Sequence, residues 1–121
     1  MYYNARVKGY GSETVQDSGC VLEDAIKALQ ELGVCLESIW PYDLECVDKR
    51  PSDEAYEQAK GHKIDQAAPV DINLNAMKSC LAQGFPFAFG LQLFTPFDKA
   101  AKAGVVPMPD ASAGNREEHE L

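Results

Sequence analysis

Residues Asp17 to Asp43, DSGCVLEDAIKALQELGVCLESIWPYD, contain the stretch that decides the fold. Apolar side chains recur in it at helical spacing and form one continuous face: Val21, Leu22, Ala25, Ile26, Leu29 and Leu32. This pattern predicts a helix from about Ser18 to Leu32, with Asp17 or Ser18 as the N-cap. Gly33 follows the last apolar position, where a glycine commonly ends a helix.

The chain outside this helix predicts a mixture of helices and strands. Trp40 and Pro41 predict an extended corner, because the residue before a proline avoids the helical region. Residues 1–8 are typical of the end of a helix. Further helices are predicted to open at Pro51, Asn73 and Thr95, and strands over residues 62–70, 85–94 and 105–108. The run 85–94 is apolar nearly throughout, which predicts burial on both faces. The order, helical first and mixed later, indicates an α+β fold.

Composition limits the classes of function. A chain of 121 residues is one domain or a piece of one, and 45% hydrophobic content is typical of a globular protein. The net charge of −8 argues against nucleic acid and anionic membranes as partners, since both bind basic surfaces. No apolar run is long enough to span a bilayer and no signal segment opens the chain, which favours a cytoplasmic location.

The four cysteines are Cys20, Cys35, Cys46 and Cys80. None forms a Cys-x-x-Cys pair, and the spacing does not choose among the three fully paired connectivities. Without a secretory signal we expect reduced thiols that act as small apolar residues.

Several segments, taken in order, resemble the papain-like cysteine peptidases, in particular their bacterial and viral branch. The segments are Tyr2-Tyr3-Asn4-Ala5-Arg6, Asp17-Ser18-Gly19 with the helix after it, Trp40-Pro41-Tyr42-Asp43, residues 76–82, residues 84–90 and residues 104–109. The resemblance implies part of a two-lobed α+β fold. Residues 1–50 would be the remnant of a helical lobe, 51–61 a short connecting helix, 62–109 part of a β-rich lobe, and 110–121 a flexible polar tail.

The resemblance also implies where catalysis would occur. A papain-like peptidase needs a thiolate at a helix N-terminus, a histidine, and a side chain that orients the histidine. The family's nucleophile precedes the residues that Tyr2 and Tyr3 resemble, and the orienting asparagine follows the histidine, so neither is expected in these residues. His119 is similar in position to the catalytic histidine. However, Glu117 and Glu118 precede it where the family has small residues, so a solvated tail histidine is the alternative.

Cys20 is a second candidate for a reactive residue, because it lies at the start of a predicted helix. The order of the family segments instead places this helix after the nucleophile helix. Nearby carboxylates at Asp17, Glu23 and Asp24 also disfavour a thiolate. A structural thiol or a disulfide partner are the other interpretations of Cys20.

Substrate contacts follow from the resemblance as well. The loop Asp17-Ser18-Gly19 would line the cleft, and its glycine would let a peptide backbone approach closely. Gly90 and Leu91 would line the main specificity pocket, although close strand packing explains Gly90 equally well. His62 has no second ligand at suitable spacing, so neither a metal nor a cofactor is expected.

Three hypotheses for function remain. The first is a papain-like peptidase segment or relic that acts on peptide or protein substrates but is inactive alone. The second is a non-catalytic binding or assembly module on the same scaffold. The third is an independent small acidic α+β domain. The first two imply exposed apolar surface, and therefore a homo-oligomer or a complementing chain that covers it.

Overall fold

The computed structural model describes residues 1–11, 15–110 and 119–120. In order, the helices are α1 (Tyr2–Tyr10), α2 (Leu22–Glu31), α3 (Asp53–Ala59), α4 (Leu74–Ala82) and α5 (Ala100–Ala103). The strands are β1 (Gly90–Leu91) and β2 (His119–Glu120), and short 3₁₀ turns cover Leu44–Cys46 and Thr95–Lys99. The chain divides into two compact units, Met1–Pro69 and Val70–Leu121. The portion boundaries expected at residues 50, 61 and 109 stay predictions.

Small side chains form the core of the first unit. Its buried apolar residues come one or two from each helix: Ala5 of α1, Ala28 of α2, and Ala55 and Ala59 of α3. Alanines let helix backbones approach closely without leaving voids. Gly33 belongs to the same contact, because a Cβ there would lie 2.8 Å from the carbonyl oxygen of His62 and closer still to that of Ala59. The first unit is therefore held by close backbone packing rather than by large apolar side chains.

Helix α2 begins four residues later than expected. Its N-cap is Val21, which makes no side-chain capping bond, so the prediction of Asp17 or Ser18 as the cap is wrong. Gly19 has φ +78°, a left-handed conformation that cannot continue a helix. The carboxylate of Asp17 is instead engaged by Tyr2. The predicted end is confirmed, since Gly33 also has φ +78° directly after the last turn.

Helices α3 and α4 begin at side-chain caps. The hydroxyl of Ser52 accepts a hydrogen bond from the amide of Ala55 (3.2 Å), and the side chain of Asn73 accepts one from Ala76 (2.8 Å). Each bond satisfies an amide that has no partner within its helix. The helices predicted to open at Pro51 and Asn73 are therefore confirmed.

The second unit contains much less strand than expected. Residues 62–70 and 105–108 form no strand, and only Gly90–Leu91 of the predicted run 85–94 does so. Burial of that run is also wrong, because Phe85 is 62% exposed and Leu93 is its only buried residue. The physical reason is pairing: a strand needs neighbours for its backbone groups, and within the described residues only β2 pairs with β1. The described residues thus form helices and little strand.

The segment after Phe94 has a tighter start than an ordinary α-helix. It opens as the 3₁₀ turn Thr95–Lys99, with a proline in its first turn and Phe94 rather than Thr95 as the N-cap. It continues as α5 and ends at Gly104, which has φ +68° as a terminating glycine should. The flexible tail expected from residue 110 falls mostly on 111–118, outside the described residues. None of the described helices is long and apolar enough to cross a membrane.

Candidate functional site

The predicted substrate loop is anchored to α1 by one phenol. The hydroxyl of Tyr2 donates a hydrogen bond to the Asp17 carboxylate (2.7 Å) and accepts one from the backbone amide of Gly19 (2.9 Å). Ser18 folds back locally, since its amide donates to the carbonyl of Gln16 (2.9 Å). The four residues Gln16 to Gly19 are exposed. We call Gln16–Gly19 the cleft loop. Its side chains face solvent while its backbone is held from α1.

Arg6, one turn after Tyr2, holds the start of the same loop. Its side chain is fully buried, and its guanidinium donates to the carbonyl oxygens of Gln16 and Val47. The guanidinium also lies 3.9 Å from the ring centroid of Tyr2, in a cation–π contact. Neutral carbonyls and an aromatic face thus solvate this buried charge. Arg6 joins α1 to both the cleft loop and the segment around Val47.

The environment of Tyr2 favours its neutral form. Burial raises the pKa of Tyr2 above the ordinary value of 10.0, and the hydrogen bond to Asp17 raises this pKa further. The amide of Gly19 and the charge of Arg6 act in the opposite direction but less strongly. The phenol is therefore protonated at neutral pH, as donation to Asp17 requires.

The remaining predicted site residues lie in the second unit. Strands β1 and β2 pair antiparallel, with Gly90 opposite Glu120 and Leu91 opposite His119. The structure thus brings the backbone of His119 beside that of Leu91. A Cβ on Gly90 would meet no atom of the described residues within 4 Å, so close packing does not explain this glycine. The residues of the cleft loop and those of the β1–β2 pair lie in different units, and their roles in binding and catalysis stay predictions.

Sequence reasoning missed Tyr2 and Arg6, which it used only as family landmarks. One signal was present: they are four residues apart, so they share a face of α1, and aromatic–guanidinium pairs are common at that spacing. Their bonds to Asp17 and Gln16 were not predictable, because each joins residues more than one helical turn apart. Such contacts depend on how the loop returns to the helix.

Comparisons with known proteins decide the family. No family model matches the chain. An uncharacterized peptidase C1-like protein of Acanthamoeba polyphaga mimivirus is 34% identical over an aligned length of 119 residues, and the alignment covers 90% of this chain. The crystal structure of xylellain, a cysteine protease from Xylella fastidiosa, is 32% identical and covers 98% of this chain with a TM-score of 0.79. This chain is related to the papain-like cysteine peptidases. It spans 38% of the viral relative and 49% of the bacterial chain.

The four cysteines of this chain are partly buried thiols, and no disulfide joins them. Two of these thiols donate hydrogen bonds to neighbouring groups. The thiol of Cys46 donates to the Asp43 carboxylate (3.8 Å), and that of Cys80 donates to the carbonyl of Phe85 (3.4 Å). The ammonium group of Lys49 also lies 3.9 Å from the sulfur of Cys46, so this thiol has both an acceptor and a donor beside it.

Cys20 lies two residues before α2, so it precedes the helix rather than opening it. The first turn of that helix carries Glu23 and Asp24, and its amide dipole therefore acts on these carboxylates as well as on any thiol. That this helix is not the nucleophile helix of a papain-like peptidase stays a prediction.

Two further features are separate from the predicted site. A surface cavity of about 440 Å³ in the first unit is lined by Tyr3, Asn4, Val7, Leu32, Arg50 and Tyr56, none of which was predicted to bind substrate. Searching the described residues for groups of histidine, cysteine and carboxylate side chains that could hold a metal ion finds none. His62 is exposed, with Nδ1 at 3.3 Å from the carbonyl oxygen of Gln58.

Proposed function

We propose that this chain supplies the peptide-binding part of a papain-like cysteine peptidase, with the cleft loop as the surface that receives the peptide backbone. The parent reaction is hydrolysis of a peptide bond through a cysteine thiolate and a thioester acyl-enzyme. The observation that carries the proposal is the similarity to xylellain, a cysteine protease, over 98% of this chain. Peptide or protein substrates follow from that similarity.

The geometry of the cleft loop supports a binding role. Gly19 is exposed, and a Cβ there would meet no atom of the described residues within 4 Å. Its φ of +78° favours glycine, so the position carries no side chain that would keep a peptide backbone away. The bonds from Tyr2 and Arg6 hold the loop in this conformation before any ligand arrives, which lowers the entropy lost on binding.

Titration of the isotope-labelled 121-residue chain with the capped peptide acetyl-Ala-Ala-Ala-amide tests peptide binding. Alanine side chains add little specificity, so the peptide reports on backbone recognition. We expect amide shifts concentrated at Asp17, Ser18 and Gly19, with a Kd on the order of 1 mM, about −4 kcal/mol. Shifts scattered over the surface, or no shift at saturating peptide, would count against the cleft loop as the binding surface.

We propose in addition that these 121 residues hydrolyse no peptide by themselves. The thiols of Cys46 and Cys80 donate hydrogen bonds to neighbouring groups, and Cys20 precedes a helix whose first turn is acidic. An epoxide reagent for active-site thiols, followed by mass spectrometry of the modified cysteines, tests this directly. Slow labelling without preference among the four thiols is expected. Rapid and selective labelling of Cys20, together with hydrolysis of a chromogenic peptide, would overturn it.

A non-catalytic binding or assembly module is the second candidate function, and exposed apolar side chains favour it. In the second unit Phe85 is 62%, Val105 68% and Met108 89% exposed. Side chains of this size are usually covered when they occur together. The occupant would be a second copy of this chain or a complementing polypeptide.

Sedimentation velocity, read together with the peptide titration, distinguishes the two candidates. Concentration-dependent association that Phe85→Ser and Met108→Ser weaken, without peptide binding at the cleft loop, would favour the assembly module. Peptide binding at the cleft loop, whether or not the chain associates, would favour the peptidase part. Because these substitutions lie outside the first unit, they leave the cleft loop intact for the peptide titration.

A further inference from the structure

We propose that Tyr2 is a positioning residue for peptide binding, whose hydroxyl fixes the cleft loop in the conformation that presents Gly19. This inference rests on the proposed peptide-binding role of the loop. It assigns to Tyr2 a task that the phenol performs through Asp17 and Gly19 rather than by touching substrate. The geometry behind it is the pair of hydrogen bonds of 2.7 and 2.9 Å at one oxygen atom.

The direction of each bond is fixed by chemistry. An ionised carboxylate only accepts and a backbone amide only donates, so the phenol O–H must donate its hydrogen bond to Asp17 and its oxygen must accept the one from Gly19. The two bonds then run in one sequence, from amide to phenol to carboxylate, and each polarises the next. Among the twenty standard residues, only tyrosine has a side chain that reaches the loop, both donates and accepts a hydrogen bond there, and presents an aromatic face to Arg6.

The two bonds fix the part of the loop that has unusual backbone geometry. They lie on either side of Ser18 and end at Gly19, whose φ is +78°. A glycine outside regular structure otherwise samples both signs of φ freely. The hydrogen bond from the Gly19 amide to the Tyr2 hydroxyl on α1 selects one of these conformations. In that conformation the side of Gly19 that would carry a Cβ meets no atom of the described residues within 4 Å. Loss of this bond would restore the freedom of Gly19 without removing any atom that a peptide contacts.

Arg6 makes the contribution of Tyr2 separable from the fold. Its guanidinium anchors the loop at Gln16 and packs on the Tyr2 ring, and neither contact needs the phenol oxygen. Tyr2→Phe therefore keeps the ring, the cation–π contact and the anchor at Gln16, and removes only the two hydrogen bonds. The variant is expected to fold, so its effect on the loop can be measured.

The experiment compares wild-type chain, Tyr2→Phe and the matched control Tyr56→Phe. Tyr56 also loses one phenol hydrogen bond, to Asn4, but that bond joins α1 to α3 and not to the cleft loop. Two readouts are taken by NMR on the full 121-residue chain: exchange of the Gly19 amide, with the Ala28 amide of α2 as internal reference, and Kd for acetyl-Ala-Ala-Ala-amide. A purely structural effect on stability would move both reference and loop amides together.

For Tyr2→Phe we expect faster exchange at Gly19 and a Kd raised by about fivefold, the equivalent of one ordinary hydrogen bond. Exchange at Ala28 rises only by the factor that the change in global stability requires, which is less than the rise at Gly19, and Tyr56→Phe leaves both Gly19 exchange and peptide Kd unchanged. Unchanged Gly19 exchange in Tyr2→Phe overturns the inference. Tighter binding also overturns it, since Tyr2 would then compete with the peptide for the Gly19 amide.

Failure of the proposed function has a different signature. If the wild-type chain shows no peptide-induced shift at the cleft loop, the peptide-binding proposal fails and this inference fails with it. If wild type binds and Tyr2→Phe binds equally well, only the role of Tyr2 fails.

Discussion

The hydroxyl of Tyr56 on α3 donates a 2.5 Å hydrogen bond to the side-chain oxygen of Asn4 on α1, 52 residues earlier in the sequence. Asn4 is only 7% exposed, so its amide oxygen has little access to water as a substitute. The guanidinium of Arg50 lies 4.6 Å from the ring centroid of Tyr56. The bond therefore links α1 to α3, two helices of the first unit that are far apart in sequence.

Tyr56→Phe is expected to lower the free energy of unfolding by about 1–2 kcal/mol. The ring stays in place, but the buried oxygen of Asn4 loses its donor, and an unsatisfied buried acceptor costs about that much. Urea denaturation monitored by circular dichroism measures the change as a lower midpoint at an unchanged slope. Tyr42→Phe is the control, because Tyr42 is 81% exposed. Equal midpoints for the two variants would show that the bond to Asn4 contributes nothing.

Arg6 is expected to be among the most sensitive positions in the first unit. Arg6→Met removes the donors to the carbonyls of Gln16 and Val47, and a cost of about 2–4 kcal/mol follows from the loss of two hydrogen bonds made by a charged group. Arg6→Lys keeps the charge but not the planar fork that reaches both oxygens, so it should lie between wild type and methionine.

Urea midpoints of the two Arg6 variants, measured beside Lys27→Met on the exposed face of α2, test this order. Lys27 forms an exposed ion pair with Glu23 (2.8 Å), and because water screens such pairs they contribute little to stability. A midpoint for Arg6→Met no lower than that of Lys27→Met would contradict the anchoring role of Arg6.

The sequence was informative where local chemistry determines structure. Asn73 caps its helix as expected, since the capping bond reaches only three residues ahead. Gly33 ended α2 as expected for the same reason. The prediction of Asp17 as the N-cap of α2 was wrong because its carboxylate has two possible partners, an amide of the following helix or a distant phenol. Only the return of the loop to Tyr2 decides between them.

Strand prediction failed for a related reason. The run from Phe85 to Phe94 has the composition of a buried strand, and composition alone says nothing about whether partners pair with its backbone. Two residues of this run, Gly90 and Leu91, pair with β2. The relationship to papain-like cysteine peptidases was easier to predict than strand content, because it rests on an ordered series of short motifs.

Alkaline pH is expected to remove the stabilising contribution of the Tyr2 phenol. Burial and the bond to Asp17 raise the pKa of Tyr2, so the folded chain holds this proton more tightly than the unfolded chain. The contribution is complete below the unfolded pKa of about 10 and is lost as pH rises through the higher folded value.

Urea denaturation of wild type and Tyr2→Phe at several pH values from about 8 to about 11 measures this loss. The difference in unfolding free energy between the two should be constant near pH 8 and should shrink above pH 10. Lysines and other tyrosines titrate in both proteins and cancel in the difference. A difference that grows with pH would mean that the folded state favours the phenolate, opposite to the direction argued here.

Gly33 and Gly19 offer a test of steric packing at constant backbone geometry, since both have φ +78°. A Cβ at Gly33 would collide with the carbonyl oxygens of Ala59 and His62, whereas at Gly19 it would enter open space among the described residues. Gly19→Ala should therefore show only the left-handed strain, about 1–2 kcal/mol. Gly33→Ala should lose clearly more, because α3 must move away from α2. Equal urea midpoints for the two alanine variants would mean that the close approach of Gly33 to Ala59 is not required for stability. Because Gly19→Ala also places a methyl group on the face proposed to receive peptide, it should weaken acetyl-Ala-Ala-Ala-amide binding more than Gly33→Ala does.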